Sequence, residues 1–372
     1  MAEQQDGSTG DGKQSTSAGE ASIESIKGAF GAKNRKRLID AYFNEAGVTF
    51  TPQEAWEHVY RLLLWADQTT GLAHCYESDK CQPGRGWYSR ALAFHAWASQ
   101  ALSVSPATLT QHIDWLFRHA TDDLAKEVLQ GVKKSAQVAA RQRATYEGRG
   151  FPAPGEDPEL VNIVQDVLGN YLASEPDAAT WQLLVQRVRQ YLAIENKRKN
   201  LVGEGFEDVL AHVVSRALPS QPIEVHTRRL LQEIPGFSRA RTGKGEKPNK
   251  VDVAIVRPGM RTLVTAKWSV RADREKQFTT DFSDYIGAES DRQPFEYVFV
   301  TNEFDPARLV RAAEQLAGNA FMFNHVVHIN TDALIATYEG AEEDSTMHRV
   351  IDLVGRGRIL SLAQWLEHLS LK

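Results

Sequence analysis

Hydrophobic positions in the first half of the chain recur at helical spacing. Between residues 55 and 65 the large apolar side chains lie three and four positions apart, and the same spacing returns between residues 184 and 192. Such spacing gathers apolar side chains on one face of an α-helix. A break rich in glycine and proline, Gly148–Gly155, separates the two regions. Residues 28–199 are therefore predicted to form an all-helical N-terminal domain.

The second half carries runs that favour strands. Val251–Val256 and Thr262–Val270 are rich in β-branched residues, and Pro258-Gly259 between them is a turn signal, so they predict a β-hairpin. Glu296–Thr301 and His325–Asn330 are short apolar runs typical of buried central strands. Helical patterns lie between and after these runs. The pattern from residue 200 to 372 predicts an α/β domain with a central mixed sheet flanked by helices.

Composition narrows the class of protein. Hydrophobic residues make up 42% and charged residues 24% of the 372 residues, which is typical of globular chains. Residues 1–27 are rich in Gly, Ser, Gln and acidic residues and are predicted to form a disordered tail. No run approaches the ~18 consecutive apolar residues of a membrane span, and the N-terminus lacks an apolar signal core. Two cysteines exclude a disulfide scaffold. The expected location is the cytoplasm, without membrane association.

The predicted hairpin carries two charged residues in otherwise apolar strands. Asp252 lies on the first strand and Lys267 on the second. Because strand side chains alternate, Lys267 shares a face with Thr265, whereas Ala266 and Trp268 point to the other face. This pattern fits either an exposed hairpin with a surface ion pair or a functional site.

The segment after the second strand adds further charges. It reads Arg271-Ala272-Asp273-Arg274 and reaches Asp281 two helical turns later. In a helix, Arg274 and Asp281 share one face. A single helix would then carry basic residues at its start and a carboxylate farther along, near the hairpin.

These residues resemble a known nuclease pattern. Asp252 followed by Thr265-x-Lys267 is similar to the hairpin of the PD-(D/E)xK superfamily, and the string from Thr265 to Arg274 resembles the signature of the CCGG family of type II restriction endonucleases. That family lacks the usual acid two residues before the lysine and takes a substitute from the next helix. Asp281, fourteen residues after Lys267, matches this substitute.

The resemblance covers roughly residues 201–330 and includes departures. Val251 replaces the family's proline, Thr265 its serine, and Asp281 its longer glutamate. A further glutamate on an upstream helix assists the metal site in the family. Glu207 is the best match, with Glu204 as the second choice.

The resemblance implies a restriction-endonuclease-like core and Mg²⁺-dependent hydrolysis of double-stranded DNA. Asp252 and Asp281 would hold the Mg²⁺ ion, which prefers carboxylates and water. Lys267 would orient the attacking water and stabilise negative charge, and Glu207 would assist. No nucleotide cofactor is implied, and the expected setting is a bacterial cytoplasm.

The family's Arg-x-Asp-Arg element reads C and G bases, and Arg271, Asp273 and Arg274 match it. Arginine pairs with guanine O6 and N7, and aspartate accepts from cytosine N4. The target would be a palindrome with a CCGG or closely related core, read by a homodimer or possibly a tetramer. The competing interpretation is that Asp273 bridges its neighbouring arginines on a solvated helix.

Charge is distributed unevenly along the chain. The net charge is −5, yet residues 225–280 contain thirteen basic and five acidic residues. The basic segment includes a loop in which Arg239, Arg241 and Lys244 are candidates for DNA-backbone contacts. An ordinary solvated loop explains these three residues equally well.

Two other function classes remain open from the residues alone. One is a catalytically silent DNA-binding protein on the same fold. The other is a PD-(D/E)xK nuclease that acts in repair or in modification-dependent restriction. Among weaker signals, the group of His74, Cys75 and Cys81 is interpreted as incidental rather than a metal site. His325 and His328 are interpreted as structural residues of a buried strand.

Overall fold

A computed structural model of the chain gives the fold. It describes residues 28–45, 50–67, 70–76, 83–126, 144, 158–169, 176–219, 222–238, 249–270 and 275–371. The predicted tail, residues 1–27, lies outside these ranges. Two compact units are present, one formed by Met1–Asn34 with Ala120–Arg198 and the other by Arg35–His119 with Lys199–Lys372.

The named elements that the structure describes between residues 28 and 199 are helices or helical turns. They are α1 (Ala32–Glu45), a 3₁₀ turn (Pro52–Glu54), α2 (Ala55–Leu63), α3 (Tyr88–Ala101), α4 (Leu109–His112), α5 (Pro158–Leu168) and α6 (Ala178–Ala217). Helix α6 has 40 residues and runs past the predicted domain boundary at residue 199. Apolar spacing from Phe206 to Leu218 predicts a helix, and in the structure this segment is the last part of the longer helix α6. None of the described helices is both long and apolar enough to cross a membrane.

The second half forms an α/β structure around a mixed six-stranded sheet. Its strands are β1 (Glu224–Leu230), β2 (Lys250–Arg257), β3 (Met260–Lys267), β4 (Phe295–Thr301), β7 (His325–His328) and β8 (Ile359–Ser361), in the order β1-β2-β3-β4-β7-β8. The first three strands are antiparallel, and the pairs from β3 to β8 are parallel. A separate two-stranded ribbon joins β5 (Leu316–Ala317) to β6 (Ala320–Phe321).

The predicted hairpin is the β2–β3 pair. Arg257 faces Met260 across the turn, and Gly259 has a φ of +73°. A positive φ after a proline is the geometry of a type II turn, which glycine adopts without steric cost. The dipeptide Pro258-Gly259 thus sets the register that brings the ends of β2 and β3 together.

Helices surround the sheet. They are a 3₁₀ turn (Leu231–Glu233), α7 (Glu275–Ala288), α8 (Pro306–Glu314), α9 (Thr331–Thr337), α10 (Thr346–Gly355) and α11 (Leu362–Leu371). Asp305 caps α8 by accepting from the Ala307 amide at 3.1 Å, and Asn330 caps α9 by accepting from the Asp332 amide at 2.8 Å. Asn330 was expected to lie in the strand His325–Asn330. The short side chains of both residues instead satisfy free amides at helix starts.

Helices α2 and α6 pack on the sheet through aromatic contacts. Trp268, directly after β3, meets the ring of Tyr60 at 6.3 Å and that of Phe206 at 5.5 Å between centroids. The Tyr60 hydroxyl also donates to Oδ1 of Asn302 at 2.8 Å. Because of these buried contacts, Arg35–His119 belongs to the same compact unit as the sheet. The compact unit that contains the sheet thus also includes residues from the first half of the chain.

Candidate active site

The carboxylate of Asp252 is the centre of a polar group at one end of the hairpin. Its Oδ2 lies 2.6 Å from Nζ of Lys267 and accepts from the Ala266 amide at 2.9 Å and from Oγ1 of Thr265 at 3.3 Å. The β2–β3 ladder ends one pair earlier, at Val253 and Val264. The carboxylate of Asp252 therefore accepts the hydrogen bond that the Ala266 amide would otherwise donate to a backbone carbonyl. This contact fixes the orientation of the Asp252 side chain.

Strand alternation explains which side chains reach this group. Lys267 ends β3 and contacts Asp252, whereas Trp268 is buried against Tyr60 and Phe206. Lys267 and Asp252 keep 27% and 18% of their side-chain surface exposed. The ion pair is thus shielded from bulk water but still open to a ligand.

Helix α7 brings Asp281 to the same place. The pKa of Asp281 is raised from 3.8 to about 6. Burial is the main cause and the charge of Asp252 adds to it, whereas Lys267 acts in the opposite direction. Nδ2 of Asn249 donates to Oδ1 of Asp281 at 3.3 Å and to Oδ2 of Asp284 at 3.2 Å. Asn249 precedes β2, so a residue beside the hairpin positions the carboxylate of α7.

Helix α6 supplies Glu207. Its side chain is buried next to Phe206, and burial followed by the charge of Asp252 raises its pKa from 4.5 to about 7. Arg228 and Lys267 lower that pKa in part. The four predicted residues Glu207, Asp252, Lys267 and Asp281 therefore lie in one electrostatic neighbourhood.

Arg228 is a site residue that the sequence did not reveal. The pairs Thr227–Val253 and Arg229–Val251 place Arg228 opposite Asp252 across the β1–β2 ladder. Its φ is +51°, and its guanidinium donates to Oε2 of Glu207 at 2.8 Å and to Asp208. The only sequence signal was a pair of adjacent arginines in a segment for which no strand was predicted, and it does not point to a partner on α6.

A divalent cation fits the chemistry of these side chains. Asp252 and Asp281 offer carboxylate oxygens, the ligands that Mg²⁺ prefers. Glu207 and Asp281 have raised pKa values partly because Asp252 is charged nearby. A cation between such carboxylates would relieve their mutual repulsion.

The predicted DNA-contact residues fall in two sequence segments, 239–244 and 271–274. Arg271, Asp273, Arg274, Arg239, Arg241 and Lys244 lie outside the described residues. Val270, directly before the segment 271–274, is anchored because its amide donates to Oε2 of buried Glu303 at 2.6 Å. Helix α7 begins on the other side at Glu275 and carries Asp281.

Two other groups contain residue types that can bind metals, and the first was interpreted from the sequence as incidental. His74 is buried and stacks on Trp65 with 4.0 Å between ring centroids, and Cys75 is buried, while Cys81 lies outside the described residues. Among the residues the structure describes, one group of three has its ligand atoms within 4.8 Å of one another, and it consists of Glu296, His325 and His368.

Comparison with known proteins gives neither a family nor a function for this chain. No protein-family model matches this chain, and no curated protein matches it either.

Proposed function

We propose that this protein is a Mg²⁺-dependent type II restriction endonuclease that hydrolyses double-stranded DNA at a palindrome with a CCGG or closely related core. The observation that carries the proposal is the pairing of Lys267 with Asp252 at 2.6 Å, with Asp281 and Glu207 in the same neighbourhood. Carboxylates with raised pKa values grouped around a lysine and a second carboxylate are typical of functional sites.

Each residue of the site has a distinct task in this proposal. Asp252 and Asp281 would hold the metal ion, which supplies an activated water and neutralises phosphate charge when bound. The ammonium of Lys267 stabilises negative charge on the reacting phosphate oxygens. Asn249 orients Asp281, and Arg228 keeps Glu207 closer to its charged form.

The proposed base-reading segment connects two parts of the site. Arg271, Asp273 and Arg274 lie in sequence between Lys267 at the end of β3 and Asp281 on α7. Contacts with the correct bases would therefore also position a proposed metal ligand. This arrangement supports recognition and cleavage being coupled through one segment, in a homodimer or tetramer matched to a palindrome.

The test is a digestion of a fully sequenced plasmid with purified protein and Mg²⁺, with every DNA end mapped to the nucleotide. We expect discrete ends within one palindrome, and none in a plasmid from which that palindrome has been removed. Lys267→Ala should cut at least ~100-fold more slowly, as expected for the loss of one charge-stabilising group. Lys126→Ala, which changes a lysine with a 71% exposed side chain, is the matched control and should cut normally.

The other outcomes separate the alternatives. Tight binding to a palindrome without cutting in Mg²⁺ would identify a silent DNA-binding protein. Cuts at random sequences or at DNA structures would identify a nuclease of a different kind. Cleavage at an unchanged rate in Lys267→Ala would exclude the proposed active site.

A further inference from the structure

A second group of metal-ligating side chains lies away from the proposed nuclease site. One ligand atom each from Glu296, His325 and His368 lies within 4.8 Å of the other two. The rings of His325 and His368 meet edge to face, with 4.7 Å between centroids. Glu296 is buried with 7% of its surface exposed. Two imidazoles and a carboxylate form a common ligand set for Zn²⁺.

The sheet register brings two of these residues together. His325 begins β7 and pairs with Val298 of β4, and Glu296 lies two residues before Val298. Since side chains two positions apart share a face of a strand, Glu296 and His325 lie on the same face of the sheet. Helix α11 contributes His368, so three elements distant in sequence meet at one point.

Two further observations favour a ligand at this point. Nε2 of His368 is buried and has no hydrogen-bond partner among the described residues. Burying a polar nitrogen without a hydrogen-bond partner costs free energy, unless an ion or a water molecule binds to it. Thr262 pairs with Glu296 across the β3–β4 ladder, and its Oγ1 lies 3.3 Å from Oε2 of that carboxylate. Hydrogen bonds of this kind orient the ligands of metal sites.

We propose that Glu296, His325 and His368 bind one transition-metal ion, Zn²⁺ in the first instance, with water at the fourth position. A tetrahedral Zn²⁺ ion with bonds of about 2.0–2.1 Å holds its ligand atoms about 3.4 Å apart. The three ligand atoms, which now lie within 4.8 Å of one another, would close to this spacing when the ion binds. Imidazole nitrogens suit Zn²⁺, Ni²⁺ or Cu²⁺ and disfavour Mg²⁺.

The ion would lie far from the proposed nuclease site. Glu296 pairs with Thr262 near one end of β3, whereas Lys267 pairs with Thr301 near the other. Five residues of strand separate the two positions, or roughly 16 Å. The ion would bridge α11 to β4 and β7, and so clamp the C-terminal helix onto the central strands. This role is independent of the proposed function.

The experiment uses full-length protein without a histidine tag, freed of metal with a chelator and kept in Mg²⁺ to occupy magnesium sites. Zn²⁺ is titrated by calorimetry, and bound metal is counted by mass spectrometry after gel filtration. We expect one Zn²⁺ per chain, a higher unfolding temperature with Zn²⁺, and the visible absorption of tetrahedral cobalt when Co²⁺ replaces it.

Variants locate the ion. His368→Ala and Glu296→Gln should lose the bound Zn²⁺ and its thermal stabilisation, while their circular dichroism shows that they remain folded. Thr262→Val, a close match in shape, should weaken Zn²⁺ binding about 10–100-fold by removing the orienting hydrogen bond. His112→Ala changes an exposed histidine and should bind Zn²⁺ like the parent chain.

Three results would overturn the proposal. The first is the absence of stoichiometric Zn²⁺ in the parent protein. The second is binding that persists unchanged in both His368→Ala and Glu296→Gln. The third is binding that disappears in Asp252→Asn, because the ion would then occupy the nuclease site. Retention of Zn²⁺ in Asp252→Asn supports the proposal whether or not the protein cuts DNA.

Discussion

Nη1 of Arg228 lies 2.8 Å from Oε2 of Glu207 and links strand β1 to helix α6 beside Asp252. The same guanidinium also donates to Asp208. Burial and the charge of Asp252 favour the neutral form of Glu207, and Arg228 opposes both effects. The arginine therefore governs the charge on a carboxylate that the proposed nuclease would use.

Arg228→Met should shift the pH dependence of DNA cleavage. Without the guanidinium, the pKa of Glu207 rises above its present value of about 7, because one hydrogen bond and one positive charge are lost. The charged carboxylate then forms only at higher pH. We expect cleavage to fall at neutral pH and to recover in alkaline buffer, as measured by initial rates over a pH series.

Arg229→Met is the matched control for this experiment. Arg229 is the next residue of β1, its side chain is 39% exposed, and it lies 3.7 Å from Glu233 on the neighbouring turn. Its pH profile should overlay that of the parent chain. If the profile of Arg228→Met overlays it too, Arg228 does not act through Glu207.

Asp281→Asn should abolish most cleavage, whereas Asp281→Glu should keep much of it. The amide cannot replace a charged metal ligand, and the expected loss is on the order of 100-fold, the rate equivalent of ~3 kcal/mol. The longer glutamate retains the charge. Asp284→Asn removes the other carboxylate held by Asn249 and should leave the rate close to that of the parent. Equal losses in Asp281→Asn and Asp284→Asn would contradict the assignment.

Tyr60→Phe should destabilise the fold without changing the chemistry. The lost hydroxyl donates to Oδ1 of Asn302, which is 2% exposed, so the substitution leaves a buried acceptor without its partner. We expect the free energy of unfolding to fall by about 1–2 kcal/mol in urea titrations. Adding Asn302→Leu should cost less than the sum of the two single changes. Strict additivity would show that the contact contributes little.

Acid should destabilise the protein partly through His328. This imidazole is fully buried, and burial lowers its pKa from 6.5 to about 4. Between these values the unfolded chain takes up a proton that the folded chain does not, so stability falls as pH drops and is intact above about pH 6.5. From pH 7 to pH 5 the loss due to this residue is ~2 kcal/mol.

His328→Asn tests this directly. The side-chain amide of asparagine can hydrogen-bond the Asn330 backbone, where Nδ1 of His328 now lies 2.8 Å from the carbonyl oxygen and 3.2 Å from the amide nitrogen, but it does not titrate. The variant should therefore lose less stability than the parent between pH 7 and pH 5 in urea titrations at each pH. Parallel losses in the two chains would exclude His328 as a source of acid sensitivity.

The local sequence determined much of the sheet and part of the site. Alternating β-branched residues around Pro258-Gly259 correctly predicted the β2–β3 hairpin, because strand alternation and turn geometry depend on neighbouring residues. The same alternation correctly put Lys267 and Trp268 on opposite faces. Asp252, Lys267, Asp281 and Glu207 were named from a family resemblance, and the fold brings them together.

Other features depended on contacts between distant segments. Hydrophobic spacing shows that α2 has an apolar face, but only the fold reveals that Tyr60 on that face packs against Trp268 of the sheet. The pairing of Arg228 with Glu207 likewise joins two elements that no local pattern connects. The sequence by itself thus determined the hairpin and the buried strands. Only the tertiary structure decided the partners of Arg228 and His325, because periodicity records that a face is buried and not what covers it.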